Sequence, residues 1–157
     1  MKRFHVHVSV ADVRASVAFY SALFQSAPTL SKDDYAKWEL DDPRVHFAVS
    51  SKPDRLPGLN HLGIQVTERA ELDGLYAALG AANITTRGQV GARCCYAESD
   101  KHWAVDPTGI VWETYHTMDR IAVYGEDRAE DLDPRSRNKN EGKSGGGCGT
   151  APKNCAS

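Results

Sequence analysis

Two of the four cysteines stand side by side, as Cys94 and Cys95 in the stretch ARCCYAESDKHW. Neighbouring cysteines close only a strained ring when they form a disulfide with each other, so we expect both thiols to be reduced. Reduced thiols are soft ligands, suited to soft metal and metalloid centres. The other two cysteines, Cys148 and Cys155, lie seven residues apart, a spacing that is loose for a structural zinc site.

Histidine and glutamate residues form a second candidate site. His5 and His61 each begin a predicted strand, and Glu113 lies in the last predicted strand. Two imidazoles and one carboxylate, with further positions open, are the donor set of non-haem Fe(II) centres. Mn, Co, Ni and Zn also suit these donors, so the residues predict one metal site without deciding its ion.

The four remaining histidines are interpreted as structural, because a single strand histidine is more often a packing residue than a ligand. They are His7, His46, His102 and His116. Alternation of side chains along a strand places His7 on the same face as His5. We therefore keep His7 open as a partner of a ligand or as a ligand itself.

An internal repeat positions these residues. HVHVSVADVRASVAFYSALF begins at His5, and HLGIQVTERAELDGLYAALG begins at His61, a shift of 56 residues. Such self-similarity indicates one supersecondary unit used twice. If the two units pack around a pseudo-twofold axis, their first strands are central and His5 faces His61.

Each unit is predicted to begin with a strand and a helix. Alternating polar and apolar residues after His5 indicate a strand, and apolar residues at Val13, Val17, Tyr20 and Phe24 indicate one face of a helix. The second helix is predicted around residues 72–79, with Gly80 as its C-cap.

Short strands follow each predicted helix. They are YAKWEL and VHFAVS in the first unit, and CCYAES, HWAV and IVWETYH in the second. Turns are predicted at DDPR and DPTG, and the segment GQVGARCC is predicted to be a mobile loop. The fold class is therefore α+β, with two βαβββ modules.

The domain organisation follows from the same pattern. We predict one domain over 1–124, with module one at 1–51, a Pro- and Gly-containing linker at 52–59 and module two at 60–124. The segment 125–157 is charged and Gly-rich with few large apolar residues, which predicts disorder. Its cysteines are interpreted either as part of a solubilising tail or as an accessory thiol pair.

Composition excludes several classes. The net charge is -2, with 19 basic and 21 acidic residues, so no basic excess favours nucleic acid. No apolar run approaches membrane-spanning length, and the N-terminus lacks the apolar region of a signal peptide. We expect a cytoplasmic protein with a small-molecule partner. The repeat is compatible with a protomer that closes its own cup and with a homodimer that exchanges modules.

The motifs HVHVSVADVRASVAFYSALF, NHLGIQV and DPTGIVWE resemble the vicinal oxygen chelate superfamily, which includes glyoxalase I, fosfomycin-resistance proteins and extradiol dioxygenases. The resemblance covers about residues 3 to 117. It implies an incomplete barrel and places the family's metal ligands at His5, His61 and Glu113. DDYAKWEL, LNHLGIQV and CCYAESDKHWAVDPTGIVWETY, with the cysteine-bearing tail, resemble the ArsI/CadI group of that superfamily.

That group contains Fe(II)-dependent lyases that cleave carbon–arsenic bonds of trivalent organoarsenicals, often named cadmium-induced proteins. The resemblance implies that Cys94 and Cys95 bind arsenic, that Fe(II) activates the co-substrate dioxygen, and that arsenite is a product. Tyr96 and Lys101 are candidates for orienting the reacting groups. The expected role is arsenic detoxification, with methyl and aromatic arsenicals both open as substrates.

Two other functions stay open. One is a resistance protein that sequesters Cd(II) or As(III) through its thiols and histidines without turnover. The other is a different metal-dependent lyase or glyoxalase reaction on the same fold, which would not need an adjacent thiol pair.

Overall fold

The structure is a computed structural model that describes residues 1–53, 55–94 and 96–120, without the side chains of residues 94, 119 and 120. Cys95 and the predicted tail with Cys148 and Cys155 lie outside the described residues. The described elements, in chain order, are β1 (Arg3–Ser9), α1 (Val13–Phe24), β2 (Leu30–Ser31), β3 (Tyr35–Asp41), β4 (Arg44–Ser50), β5 (Gly58–Val66), α2 (Arg69–Ala81), β6 (Arg87–Cys94), β7 (Ala97–Val105) and β8 (Val111–Arg120).

All the described strands form one mixed sheet in the order β2-β3-β4-β1-β5-β8-β7-β6. The first strands of the two modules, β1 and β5, are antiparallel neighbours at its centre, and each pairs in parallel with the last strand of its own module. The end strands β2 and β6 do not pair with each other, so the sheet stays open. The predicted fold class, two βαβββ modules in an incomplete barrel, is confirmed.

The two faces of the sheet differ in chemistry because side chains alternate along each strand. In module one, α1 covers an apolar core built on Val13, Ala36, Trp38 and Val49. The opposite face carries polar side chains from both modules, and residues of β3 and β7 line the same cavity there. The sheet therefore curls around a polar concave face. No helix among the described residues has the length and apolar character needed to cross a membrane.

Both helices end without glycine, which corrects the predicted C-cap at Gly80. Helix α2 continues through Gly80 to Ala81, and Asn83 takes the left-handed conformation with φ 56°. The amide of Ile84 donates to the carbonyl of Leu79, and that of Asn83 to Gly80. These two bonds form a Schellman motif, in which asparagine can replace the usual glycine.

The predicted loop GQVGARCC and the predicted strand CCYAES are also corrected. Residues 87–94 form β6, an edge strand paired with β7, with a register irregularity between Gln89 and Ala92. Strand β6 ends at Cys94, and Tyr96, with φ 61°, lies in the turn before β7. Cys94 therefore lies where β6 ends, before the turn that contains Tyr96. Pairing with β7, a long-range effect, overrides the glycines that suggested a loop.

The turn between β7 and β8 sets the position of Glu113, and one carboxylate organises it. Asp106 Oδ1 accepts hydrogen bonds from the Thr108 hydroxyl (2.7 Å) and from the amides of Thr108 (2.8 Å) and Ile110 (2.9 Å). Its Oδ2 accepts from Trp112 Nε1 at 3.3 Å. These bonds, that from the Thr108 hydroxyl foremost, lower the pKa of Asp106 to about 2.

Replacing Asp106 by asparagine is expected to lower the thermal midpoint by a few degrees at neutral pH, because the bonds lose their charge assistance. A carboxyl with a depressed pKa stabilises the fold above its unfolded pKa of about 3.9 and loses that contribution as pH falls toward the folded value. The gap between variant and wild type should therefore close between about pH 4 and pH 2 in thermal unfolding. Asp73→Asn, which removes an exposed ion pair with Arg69, should have almost no effect. A gap that persists at pH 2 would contradict the assignment.

Candidate metal centre

Strands β1 and β5 bring His5 and His61 together across the centre of the sheet. Val6 lies opposite Leu62, 56 residues later, so the repeat coincides with a pseudo-twofold axis between these two residues. That axis relates His5 to His61, and strand alternation directs both side chains to the concave face. Their Nε2 atoms are 3.1 Å apart, and both residues are buried.

Glu113 reaches the same point from β8 because its neighbour in β5 has no side chain. Gly63 lies beside Glu113 in the parallel β5–β8 pair, and a Cβ at Gly63 would meet the Glu113 carbonyl oxygen at 2.3 Å. Glu113 Oε2 lies 3.3 Å from His61 Nε2 and 3.6 Å from His5 Nε2. The structure thus brings together the three residues that the sequence singled out as metal ligands.

Hydrogen bonds on the far side of each imidazole determine which nitrogen faces the site. His5 Nδ1 is 3.0 Å from the carbonyl oxygen of His46, and His61 Nδ1 is 2.6 Å from Asn60 Oδ1. Both partners are acceptors, so in the neutral rings Nδ1 carries the proton and Nε2 carries the lone pair. Asn60 is itself oriented by donating its amide to Ser9 Oγ at 3.2 Å.

This arrangement fits a bound cation. Two lone pairs facing each other at 3.1 Å, beside a carboxylate, repel unless a positive charge lies among them. Nitrogen or oxygen donors about 2.1 Å from one ion lie roughly 3.0 to 3.4 Å apart at octahedral or tetrahedral angles. The observed separations of 3.1, 3.3 and 3.6 Å are close to that range. Imidazole donors held by an acceptor on the other nitrogen are also typical of metal sites.

The surroundings of the site keep the His5 imidazole neutral and the Glu113 carboxylate ionised, the states in which both can bind a cation. Burial and the neighbouring His61 lower the pKa of His5 to about 4, so its imidazole is neutral at ordinary pH. Burial alone would raise the pKa of Glu113, but the Lys101 ammonium and the two histidines hold it well below its usual range. Lys101 Nζ donates to Glu113 Oε1 at 2.6 Å, which leaves Oε2 directed at the histidines.

A family model named Glyoxalase/Bleomycin resistance protein/Dioxygenase superfamily matches residues 2–114, which include His5, His61 and Glu113. The chain belongs to this superfamily. Its central β1–β5 pair and open polar cup are therefore the superfamily's architecture, and the sequence resemblance to it is confirmed.

Curated superfamily relatives carry names that concern cadmium and arsenic. A "Cadmium-induced protein CadI" of Mycobacterium tuberculosis is 32% identical over 125 residues, covering 80% of this chain and 82% of the relative. A "Trivalent organoarsenical cleaving enzyme" of a Bacillus species is 36% identical over 124 residues, covering 77% and 76%. An enzyme of the same name from Thermomonospora curvata is 30% identical over 116 residues, covering 73% and 77%.

Solved structures agree on the fold. The Mn(II)-bound glyoxalase from Novosphingobium aromaticivorans superposes with a TM-score of 0.54 at 17% identity, over 81% of this chain and 43% of that one. Homoprotocatechuate 2,3-dioxygenase from Arthrobacter globiformis gives 0.56 at 16% identity, over 85% and 38%. The chain spans less than half of these two solved chains, and at this identity they establish the fold alone.

The cavity lined by His5, His61 and Glu113 has a volume of about 40 Å³, enough for a few water-sized groups. His46, which the sequence pattern led us to interpret as structural, lines this cavity. It pairs directly with His5 in the parallel β1–β4 ladder, so alternation along β4 was the available signal. Its Nδ1 is bonded to the Tyr115 hydroxyl. Its Nε2 is buried and has no hydrogen-bond partner within the described part of the chain, so a molecule in the cavity could engage it.

The two candidate orienting residues take different positions. Lys101 lines the cavity and bonds to Glu113. The Tyr96 hydroxyl donates to Asp34 at 2.6 Å, and burial together with Asp34 raises the pKa of Tyr96 to about 12. Tyr96 thus ties the β6–β7 turn to Asp34, which directly precedes β3 of module one.

Of the arsenic-binding residues implied by the resemblance, the backbone of Cys94 is among the described residues and Cys95 lies outside them. Cys94 ends β6 directly opposite Ala97 of β7, and Ala97 lines the cavity. The backbone of Cys94 is therefore one strand away from the cavity wall. Of the other histidines interpreted as structural, His102 stacks on Tyr76 with ring centroids 4.3 Å apart.

Proposed function

We propose that this protein cleaves the carbon–arsenic bond of trivalent organoarsenicals, using Fe(II) and dioxygen, and yields arsenite. The observation that carries the proposal is the convergence of His5, His61 and Glu113 in a cavity that is also lined by Ala97, the residue opposite Cys94 in the β6–β7 pair. Relatives named trivalent organoarsenical cleaving enzyme, at 36% and 30% identity, support the substrate class.

In this proposal the adjacent thiols of Cys94 and Cys95 bind the substrate. An arsenical R–As(OH)2 exchanges both hydroxyl groups for the sulfurs of Cys94 and Cys95, releasing two water molecules and leaving the carbon–arsenic bond intact. The second exchange is intramolecular, so it gains from a high effective concentration. The Tyr96–Asp34 bond, which holds the turn before β7 against module one, supports a substrate position near the cup.

His5, His61 and Glu113 would hold the metal, and Lys101 keeps the Glu113 carboxylate in the orientation that presents Oε2. Fe(II) held there would pass electron density to dioxygen and so make it reactive toward the carbon–arsenic bond, without being consumed. For a methyl substrate the balance is CH3As(OH)2 plus O2 giving As(OH)3 and formaldehyde. Carbon is oxidised by four electrons, dioxygen is reduced by four, and arsenic remains trivalent.

The test is aerobic incubation of the protein with methylarsenite and Fe(II), with arsenite quantified by chromatography and mass spectrometry. We expect arsenite only when both iron and oxygen are present. Cys94→Ser and Cys95→Ser should each lower turnover at low substrate by roughly 10² to 10⁴-fold, because the chelating second bond is lost. Cys148→Ser and Cys155→Ser, matched in chemistry, should keep most of the turnover.

Two outcomes would overturn the proposal. Equal turnover by the Cys94 and Cys95 variants would exclude arsenic capture by the pair. Arsenite formed without oxygen would exclude the oxidative reaction.

A second candidate is sequestration of Cd(II) or As(III) without turnover. The 32% identical relative named for its induction by cadmium favours it. It predicts tight, stoichiometric cadmium binding that needs Cys94 and Cys95, with no arsenite released in the assay above.

A further inference from the structure

His7 lies beside the proposed metal ligands, at a position where the second module has a glycine instead of a histidine. It lies two residues after His5 on β1 and directly opposite His61 of β5. The side chain is buried, with 1% of its surface exposed, and it lines the same cavity. His61 is therefore flanked by His5 on one side and His7 on the other.

The two modules differ in how they complete the central histidine pair. In module two, Gly63 leaves room and the carboxylate of Glu113 comes from the adjacent β8. In module one the equivalent of Gly63 is His7, and its neighbour in β4 is Ala48. In module one, the imidazole of His7 on the first strand lies beside the methyl group of Ala48 on the last strand. In module two, Gly63 on the first strand has no side chain, and Glu113 on the last strand has a carboxylate. Both modules deliver one further donor toward His5 and His61.

The donor atoms are close enough for one ion. One ring nitrogen from each of His5, His7 and His61 forms a set in which all lie within 4.8 Å of one another. Donors on opposite sides of an ion are roughly 4.2 Å apart when each is about 2.1 Å from it. The His7 ring meets that of His61 edge-on, with centroids 4.9 Å apart. His7 Nε2 contacts Ser50 Oγ at 2.8 Å, a hydroxyl able to accept the imidazole proton of a ligating histidine.

We propose that His7 is a fourth protein ligand to the metal, so that the donor set is three imidazoles and one carboxylate. This rests on the metal site of the proposed function and deepens it. Borderline divalent ions such as Fe(II), Co(II) and Zn(II) suit this set. A six-coordinate ion would keep two positions for small molecules, whereas a four-coordinate ion would be saturated by the protein.

The number of bound imidazoles can be counted without substrate or dioxygen. In the Co(II)-loaded protein, each ligating histidine retains one ring N–H, whose proton signal is shifted by the paramagnetic ion and lost in D2O. We expect three such signals in the full chain, two in His7→Ala, and three in His46→Ala. His46 is the matched control, a buried histidine of the same cavity outside the three-histidine set.

Co(II) affinity gives an independent measure. His7→Ala should weaken Co(II) binding by at least roughly 10- to 100-fold, the loss known for changing a residue that is hydrogen-bonded to a metal ligand. The Co(II) affinity of His46→Ala should stay within severalfold of wild type. Two signals in the wild type would overturn the proposal, even if His7→Ala weakens binding, because His7 would then only position His61. The wild-type count decides the question if His7→Ala does not fold.

The result is separable from the lyase reaction. Three signals together with absent turnover would uphold the His7 ligand and reject the proposed function. Two signals together with full turnover would uphold the proposed function and reject the His7 ligand. Failure to bind Co(II) would overturn both the His7 ligand and the proposed function.

Discussion

Replacing His61 by alanine should abolish tight metal binding and, with it, the proposed formation of arsenite. His61 Nε2 lies within 3.3 Å of both His5 Nε2 and Glu113 Oε2, so its removal leaves a buried donor set without its central member. We expect the dissociation constant for Fe(II) or Co(II) to rise by about a thousandfold or more, beyond the 10- to 100-fold cost of changing a partner of a ligand. Metal titration and metal content after desalting measure the effect.

Two further variants provide a scale for the loss of metal affinity in His61→Ala. Asn60→Ala removes the acceptor of the His61 Nδ1 proton and should cost roughly 10- to 100-fold in affinity. His102→Ala removes a histidine stacked on Tyr76 and should leave the metal affinity unchanged. Stoichiometric, tight metal in His61→Ala would show that the ion is bound elsewhere.

Replacing Lys101 by methionine should destabilise the metal-free protein by about 3 to 5 kcal/mol, the usual cost of removing one partner of a buried ion pair. Lys101 is 3% exposed and its ammonium is 2.6 Å from Glu113 Oε1. Without it the Glu113 carboxylate remains buried and has lost its lysine partner. Denaturant unfolding in the presence of a chelator measures the loss.

A bound divalent ion should recover much of that loss, because the ion supplies the missing positive charge at the same carboxylate. The difference in unfolding free energy between Lys101→Met and wild type is therefore expected to narrow when Co(II) is added. It should also narrow as pH falls below about 4.3, since a carboxyl with a depressed pKa stabilises the fold only above its unfolded value.

Lys37 provides the matched control. It is another buried lysine of the cavity, but its ammonium is 2.7 Å from Glu39, whose side chain is 28% exposed and can be rehydrated. Lys37→Met should cost at most about 1 kcal/mol. Equal losses for both variants, insensitive to metal, would contradict the role given to Lys101.

Local pattern was sufficient for much of the fold. Alternation in HVHVSV placed His5 and His7 on one face of β1, as the structure shows, and apolar spacing identified α1. The 56-residue repeat predicted the central β1–β5 pair, since two equivalent strands must meet near an axis that relates them. Errors arose where distant pairing competes with local preference, as in β6, whose glycines suggested a loop.

By itself, the sequence determined the donor atoms and their repetition: two histidines at equivalent positions, a glutamate on the last strand and an adjacent pair of thiols. Only the tertiary structure decided which side chains meet. Gly63 admits Glu113, Lys101 turns that carboxylate toward the histidines, His46 enters the cavity and Tyr96 joins Asp34. These contacts depend on strand register and on the curl of the whole sheet. Both arise from packing over the full chain, so no short stretch of residues encodes them.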